Sequence, residues 1–189
     1  MKGVLAEHMA VRSRVGMFDV SHMGDILVTG PDAVALMNCV LPSNVSSIKT
    51  GKSAYTAFLN KSGLLIDDTI VYRISEDKVF FVPNAATTEE VLNWLVSNSK
   101  GFNVKIQNLS SDLACFAIQG PLSKDVAADL GIVFPEPFTF SFQSDKYGGR
   151  NEINKKNDLI VSGTGYTGEP GFEMVVDVRS CNKWWVSAI

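Results

Sequence analysis

The chain has 189 residues, 46% of them hydrophobic and 20% charged, with 15 glycines and 7 prolines; that is an ordinary globular composition, long enough for one core or two small lobes. Seventeen basic against twenty acidic residues leave a net charge of −3, and without a basic cluster this argues against nucleic-acid binding and against a polybasic membrane patch. No apolar run approaches a membrane span, and Glu7, Arg12 and Arg14 stand where a signal peptide needs an apolar core, so the chain reads as cytoplasmic.

Residues 3–14 are predicted to form a helix, and MFDVSHMGDILVTG (17–30) a strand with a bulge at Gly24. GPDAVALMNCVL follows as a helix, with Pro31 at its start and Val34, Leu36, Met37 and Val40 near helical spacing. SAYTAFLN (53–60) and GLLIDDTIVYR (63–73) read as strands joined by a turn around Lys61 and Ser62, with a third strand at KVFFVPNA (78–85). Thr87 and Glu90 make a capping-box pattern for a helix over TTEEVLNWLVSNSK.

Strands near 102–108 and 113–119 precede a helix opened by GPLSKDVAADL and a polar stretch at 143–157. DLIVSG (158–163) and FEMVVDV (172–178) are strands again, and RSCNKWWVSAI is a closing helix. Strand meanders with interspersed helices imply an α+β fold, mostly antiparallel sheets with packed helices. Its extent is one region over 1–189, or two lobes of about 1–100 and 101–189. Both ends read as cut, since the first helix lacks a preceding cap and the last stops without a stop signal. A fragment of a longer protein is expected. Cys39, Cys115 and Cys181 lie far apart without a C-x-x-C pair; they read as buried reduced thiols, with no disulfide framework and no metal site.

Period-2 alternation sets Asp68 on one face with Leu64, Ile66, Ile70 and Tyr72, and Asp67 on the more polar face with Thr69 and Arg73. An apolar setting for Asp68 is costly unless the group is paired or used, and desolvation there raises a carboxyl pKa. A symmetric turn with Asn60 opposite Gly63 sets Tyr55 across from Asp68. The pattern leaves a capping or pairing role for Asp68 equally open. His22 lies on the predicted strand without a partner motif and reads as structural.

GTGYTGEPGFE (163–173) contains the letters of the G-x-G-x-x-G dinucleotide fingerprint. A dinucleotide loop runs from strand to glycines to helix, whereas here Gly171 and a β-branched run follow Pro170. The acid needed about twenty residues on would fall at the chain end, at Ile189. The motif is better read as a glycine-rich hairpin connection carrying Tyr166, Thr167, Glu169 and Glu173, with glycines where a turn needs positive φ.

FDVSHMG (18–24), GKSAYT, GLLIDDTIVY, AIQGP (117–121) and GYTGEPGFE (165–173) occur in this order. Together they resemble the aminomethyltransferase, or T-protein, family of the glycine cleavage system, across essentially the whole chain. GYTGE and the DD strand are the specific parts. Family chains are longer, with a short segment before the first helix and further regions after Trp184 and Trp185. Pro83 in the third strand and the length of 143–157 depart from the family pattern.

The resemblance implies a tetrahydrofolate-dependent enzyme that takes an aminomethyl group from the lipoyl arm of a lipoylated H-protein, releases ammonia and yields 5,10-methylene-tetrahydrofolate. It implies Asp68 as the catalytic carboxylate, holding the folate amine, accepting a proton and stabilising the iminium charge. Glu173 would accept the donor pair of the pterin edge, and Tyr166, Tyr55, Met23 and Asn84 would line the ring. The competing readings are a non-catalytic folate-binding module of the iron–sulfur maintenance type, a folate-linked demethylase, and the tail domain of a flavin-dependent dehydrogenase.

Overall fold

The computed structural model describes residues 3–189. They separate into two compact units, one built from 22–111 and one from 3–21 together with 112–189. Five helices and ten strands are assigned among the described residues, and the strands form two five-stranded antiparallel sheets. The expectation of an α+β fold with antiparallel sheets agrees with this. No described helix is long and apolar enough to cross a membrane.

In the discontinuous unit, α1 (Val4–Ser13) leads into β1 (Gly16–Asp19). In the continuous unit β2 (Ile26–Thr29) is followed by α2 (Ala33–Val40), the hairpin β3 (Lys52–Leu59) and β4 (Leu65–Ser75), then β5 (Lys78–Pro83), α3 (Thr88–Asn98) and β6 (Lys105–Asn108). The chain returns to the first unit with β7 (Leu113–Gln119), α4 (Ser123–Leu130), β8 (Phe140–Ser144), β9 (Asp158–Ser162), β10 (Gly171–Asp177) and α5 (Cys181–Ala188).

The continuous unit's sheet runs β3-β4-β5-β2-β6. Ile26, Val28, Val71 and Phe81 project from it onto Leu36, Met37 and Val40 of α2 and Val91 and Leu95 of α3. In α2 the buried residues are Ala33, Leu36, Met37 and Val40, which is the i, i+3, i+4, i+7 stripe of a helix laid on a sheet. Each large side chain so covered stabilises by roughly 1.5–3 kcal/mol.

The other sheet runs β1-β7-β10-β9-β8. Its core combines Phe116, Ile118, Leu159, Val161, Phe172 and Met174 with Ala127 and Leu130 of α4 and Trp184 of α5. β7 is buried along its whole length, because β1 and β10 flank it on both edges, pairing Phe18 and Glu173 with Ala117. α4 ends at Gly131, whose left-handed φ of 73° lets its N–H reach the carbonyls of Ala127 and Ala128. α1 buries no side chain and is tied at its C-terminal end, where the Leu122 N–H donates to the Arg14 carbonyl at 2.9 Å.

Several local expectations change. The run 17–30 is not one strand: β1 and β2 belong to different sheets, and Ser21 and His22 form a turn between them. His22 is therefore exposed and off any strand. Thr87 does stand at the N-cap of α3 without a side-chain capping bond; its hydroxyl donates instead to the Asn84 carbonyl at 3.2 Å. The stretch from 143 on overlaps β8, a strand the sequence reading lacks. Of the three thiols only Cys115 is buried, while Cys39 is exposed and Cys181 half-buried.

The facing of the two aspartates also reverses. Asp67 is the buried one, at 4% exposure, on a face with Thr69, Val71 and Arg73, while Asp68 is half-buried. The Asp67 face looked polar in sequence, yet most of its polar atoms are bonded: the Thr69 hydroxyl donates to the Val82 carbonyl, and Arg73 donates through Nη1 to the carbonyls of Ser46 and Ile48, with only its Nε left without a partner. Satisfied polar groups tolerate burial, so alternation of polarity misled the assignment of the covered face.

Candidate active site

In the continuous unit the hairpin β3–β4 carries Tyr55 and Asp68. The register sets Tyr55 opposite Ile70 and Ala57 opposite Asp68, with a shift between Phe58 and Leu59. The expected direct pairing of Tyr55 with Asp68 is thus off by two residues. The loop is longer than a two-residue turn: the Asn60 N–H donates to the Leu64 carbonyl, and the Asn60 side chain accepts from the N–H groups of Ser62 and Leu64. Tyr55 and Asp68 become diagonal neighbours on one face, a separation that a phenol spans. The Tyr55 hydroxyl donates to Asp68 Oδ2 at 2.8 Å, so the contact exists although the register differs.

Asn84, directly after β5, ties both aspartates. Its backbone N–H and Nδ2 donate to Asp67 at 2.9 and 2.7 Å, and Nδ2 also lies 3.2 Å from Asp68 Oδ1 and from the Asp68 carbonyl. Asp67 is the anchor of this turn, and Asp68 is presented with one oxygen on a phenol and the other on an amide. The hydrogen bond to Asp68, and then its charge, raise the Tyr55 phenol above its ordinary pKa. Met23 is half-buried in the bend before Gly24. The Gly24 N–H donates to the Pro83 carbonyl at 2.9 Å, which fixes that bend at the strand end that carries Asn84.

In the discontinuous unit, Glu173 sits on β10 between Ala117 of β7 and Ser162 of β9. The Thr164 hydroxyl bonds its Oε2 and also reaches the Ser162 hydroxyl at 2.9 Å. Glu173 is half-buried, and burial pushes its carboxyl up while the Thr164 bond works the other way. GTGYTGEPG is the β9–β10 connection, and β9 and β10 pair antiparallel, so a hairpin replaces the strand–helix step of a dinucleotide site. Tyr166 stands at its apex, 77% exposed.

The structure thus groups Asp68, Tyr55 and Asn84 in one unit and Glu173 with Thr164 in the other. Two buried groups escaped the sequence reading. Gln119 ends an otherwise apolar strand, and Asp25 directly precedes another; each is a polar residue at the edge of an apolar run, a signal that is visible but easily passed over. A groove of about 540 Å³, lined by residues of α1 and β1 and by Thr167, contains none of the expected site residues. Among the described residues no group of three His, Cys, Asp or Glu side chains is arranged to hold a metal ion.

The profile of the GCVT N-terminal domain matches residues 1–188. An aminomethyltransferase of Thermotoga sp. (strain RQ2) is 41% identical over 182 residues, covering 96% of this chain and 48% of the relative. That of Thermotoga maritima is 40% identical over the same lengths. The chain therefore spans about half the length of the curated relatives it matches. Among solved structures, the glycine cleavage system aminomethyltransferase T from Bartonella henselae superposes with a TM-score of 0.87 at 29% identity, over 98% of this chain and 48% of that one. A chain of heterotetrameric sarcosine oxidase from Corynebacterium sp. U-96 gives a TM-score of 0.58 at 12% identity, over 97% of this chain and 89% of that one, a likeness of fold alone. These matches agree with the resemblance carried by the DD strand and the GYTGE loop, and the chain belongs to the GCVT N-terminal domain family.

Proposed function

We propose that the chain supplies the N-terminal domain of a tetrahydrofolate-dependent aminomethyltransferase of the glycine cleavage system. The aminomethyl group would come from a lipoylated H-protein in the cytoplasm, with ammonia, 5,10-methylene-tetrahydrofolate and the dihydrolipoyl H-protein as products. The observation that carries the reading is the Asp68 carboxylate, held on one oxygen by Tyr55 and on the other by Asn84, in a chain of this family.

The residues suit a reduced pterin. Glu173 is a half-buried carboxylate bonded by one hydroxyl, that of Thr164, and burial has already raised its affinity for a proton. A neighbouring pair of N–H donors completes such a group better than water does. Tyr55, Tyr166, Met23 and Asn84 are the candidates for ring and edge contacts. Tetrahydrofolate supplies the nucleophilic amine that receives the one-carbon unit. The protein's own contribution is positional and electrostatic. Tyr55 and Asn84 fix the direction of Asp68, so its charge is preorganised for a neighbouring cation and costs no reorientation when a proton moves. Asp67 holds Asn84 in place and thereby acts through it.

The deciding experiment is Asp68→Asn in a full-length protein carrying this chain. Methylene-tetrahydrofolate formation is expected to fall by roughly 10²–10⁴-fold, the usual worth of a positioned acid–base group, with the far-UV spectrum unchanged. A folded variant within a few-fold of wild type would remove Asp68 from the chemistry and with it the basis for the reading.

A further inference from the structure

We propose that Gln119 is a positioning residue: its buried amide sets the loop that presents Tyr166 and the hydroxyl that bonds Glu173. The proposal rests on the folate-site reading given above.

Gln119 is 1% exposed and stands at the end of β7 beneath the 163–171 connection. Its Oε1 accepts from the Thr167 hydroxyl at 2.9 Å. Its Nε2 faces two carbonyls, those of Thr164 at 3.2 Å and Phe172 at 3.4 Å. The amide orientation follows from these partners, since a flipped group would aim its oxygen at two other carbonyl oxygens. One side chain therefore grips the connection at its entry (Thr164), near its apex (Thr167) and at its exit (Phe172).

The glycines fit the same picture. A Cβ at Gly165 or at Gly171 would run into the Gln119 amide. These two glycines are therefore small so that the loop can lie directly on Gln119, and the left-handed φ of 76° at Gly168 turns the chain beyond it. The exit is pinned separately, by the Gly120 N–H donating to the Pro170 carbonyl at 2.7 Å and by an ion pair between Arg12 and Glu169.

The consequence is a shared reference point. The Thr164 backbone and the Thr167 side chain are both fixed on one amide; Thr164 carries the hydroxyl on Glu173, and Thr167 neighbours Tyr166. An exposed aromatic held this way binds a flat ring without first giving up loop freedom.

Gln119→Met keeps the length of the side chain but strands buried carbonyls, so its effect mixes with folding. Thr167→Val keeps Gln119 in place and is the deciding variant, with Thr167→Ser as the conservative rescue. Amide exchange across 163–171, urea midpoints and tetrahydrofolate titration are measured on all of them.

Thr167→Val removes the donation to Gln119 and the longer acceptance from the Glu169 N–H at 3.3 Å; the bond to Gln119 alone, about fivefold in equilibrium terms, is expected to speed loop exchange and weaken tetrahydrofolate binding by at least about fivefold in the Val variant. The urea midpoint falls by that same increment and no more, and Ser restores all three. Unchanged exchange in Thr167→Val overturns the proposal, and so does faster exchange with undiminished affinity. Wild type that fails to bind tetrahydrofolate refutes the folate reading instead; loop exchange still decides whether Gln119 sets the loop.

Discussion

Asp25 gives the most direct physical test of the structure. It stands directly before β2, its backbone N–H donating to the Ser110 hydroxyl at 2.9 Å and its carbonyl accepting from the Leu109 N–H at 2.7 Å. The side chain is 2% exposed and Oδ1 has no hydrogen-bond partner. Burial alone lifts the carboxyl from 3.8 to about 7. Below about pH 4 the group is protonated in both folded and unfolded chains and has no effect on the balance. Between about 4 and 7 the unfolded chain has released a proton that the folded chain still holds, so stability falls as pH rises. Above 7 both forms are ionised and the loss is complete. The gap of about three pH units, at about 1.4 kcal/mol for each, amounts to about 4 kcal/mol. Asp25→Asn removes the titration at nearly constant shape, though its amide needs a partner and returns about 1–3 kcal/mol of that gain. Urea unfolding followed by tryptophan fluorescence at pH 4, 5, 6, 7 and 8 reads the difference between the two chains. Glu173 is raised in the same direction and contributes to both, so the difference isolates Asp25. The Asn variant should gain on wild type steadily from pH 4 to 7 and hold that gain at pH 8. Parallel pH profiles would refute the assignment of a buried, unpaired carboxyl.

Asp67→Asn should act mainly on stability, by about 1–3 kcal/mol in urea unfolding, because it weakens a buried acceptor that takes two bonds from Asn84; Asp68→Asn should act mainly on turnover, and equal turnover losses at near-equal stability would contradict the division of labour. Spectrophotometric titration should find one tyrosine ionising above the ordinary value of 10.0, and Asp68→Asn should return that phenol toward it; an unaltered titration would break the Tyr55–Asp68 pairing. Gly165→Ala should destabilise by roughly 1–3 kcal/mol through overpacking against Gln119, as read by the urea midpoint, and a neutral change would show that the loop does not rest on that amide.

The helices were legible because their apolar spacing is local: Leu36, Met37 and Val40 identify a stripe whatever they pack against. The Tyr55–Asp68 contact was legible for a mixed reason. Strand parity put both on one face correctly, but the pairing count missed the longer loop closed by Asn60, and the phenol's length absorbed the error. The aspartate facing was not legible. Burial of Asp67 depends on Asn84, 17 residues away, and no periodicity records such a partner. The split of 17–30 was hidden for a similar reason. β1 and β2 look alike as strands, and only their partners, β7 for one and β5 and β6 for the other, assign them to different sheets.

The placement of β1 beside β7 also bears on the order in which the chain acquires its structure. Between Asp19 and its partner Phe116 lies the whole of the continuous unit, so that edge of the sheet closes a loop of nearly a hundred residues. The entropy of closure grows only slowly with length, by about 0.6 kcal/mol for each doubling, so the cost is mostly one of time rather than of final stability. A ribosome delivers 22–111 complete before any of β7 exists. The β1 segment must therefore wait, unpaired, for the other four strands of its own sheet to be synthesised, which leaves β1 open to mispairing in the nascent chain.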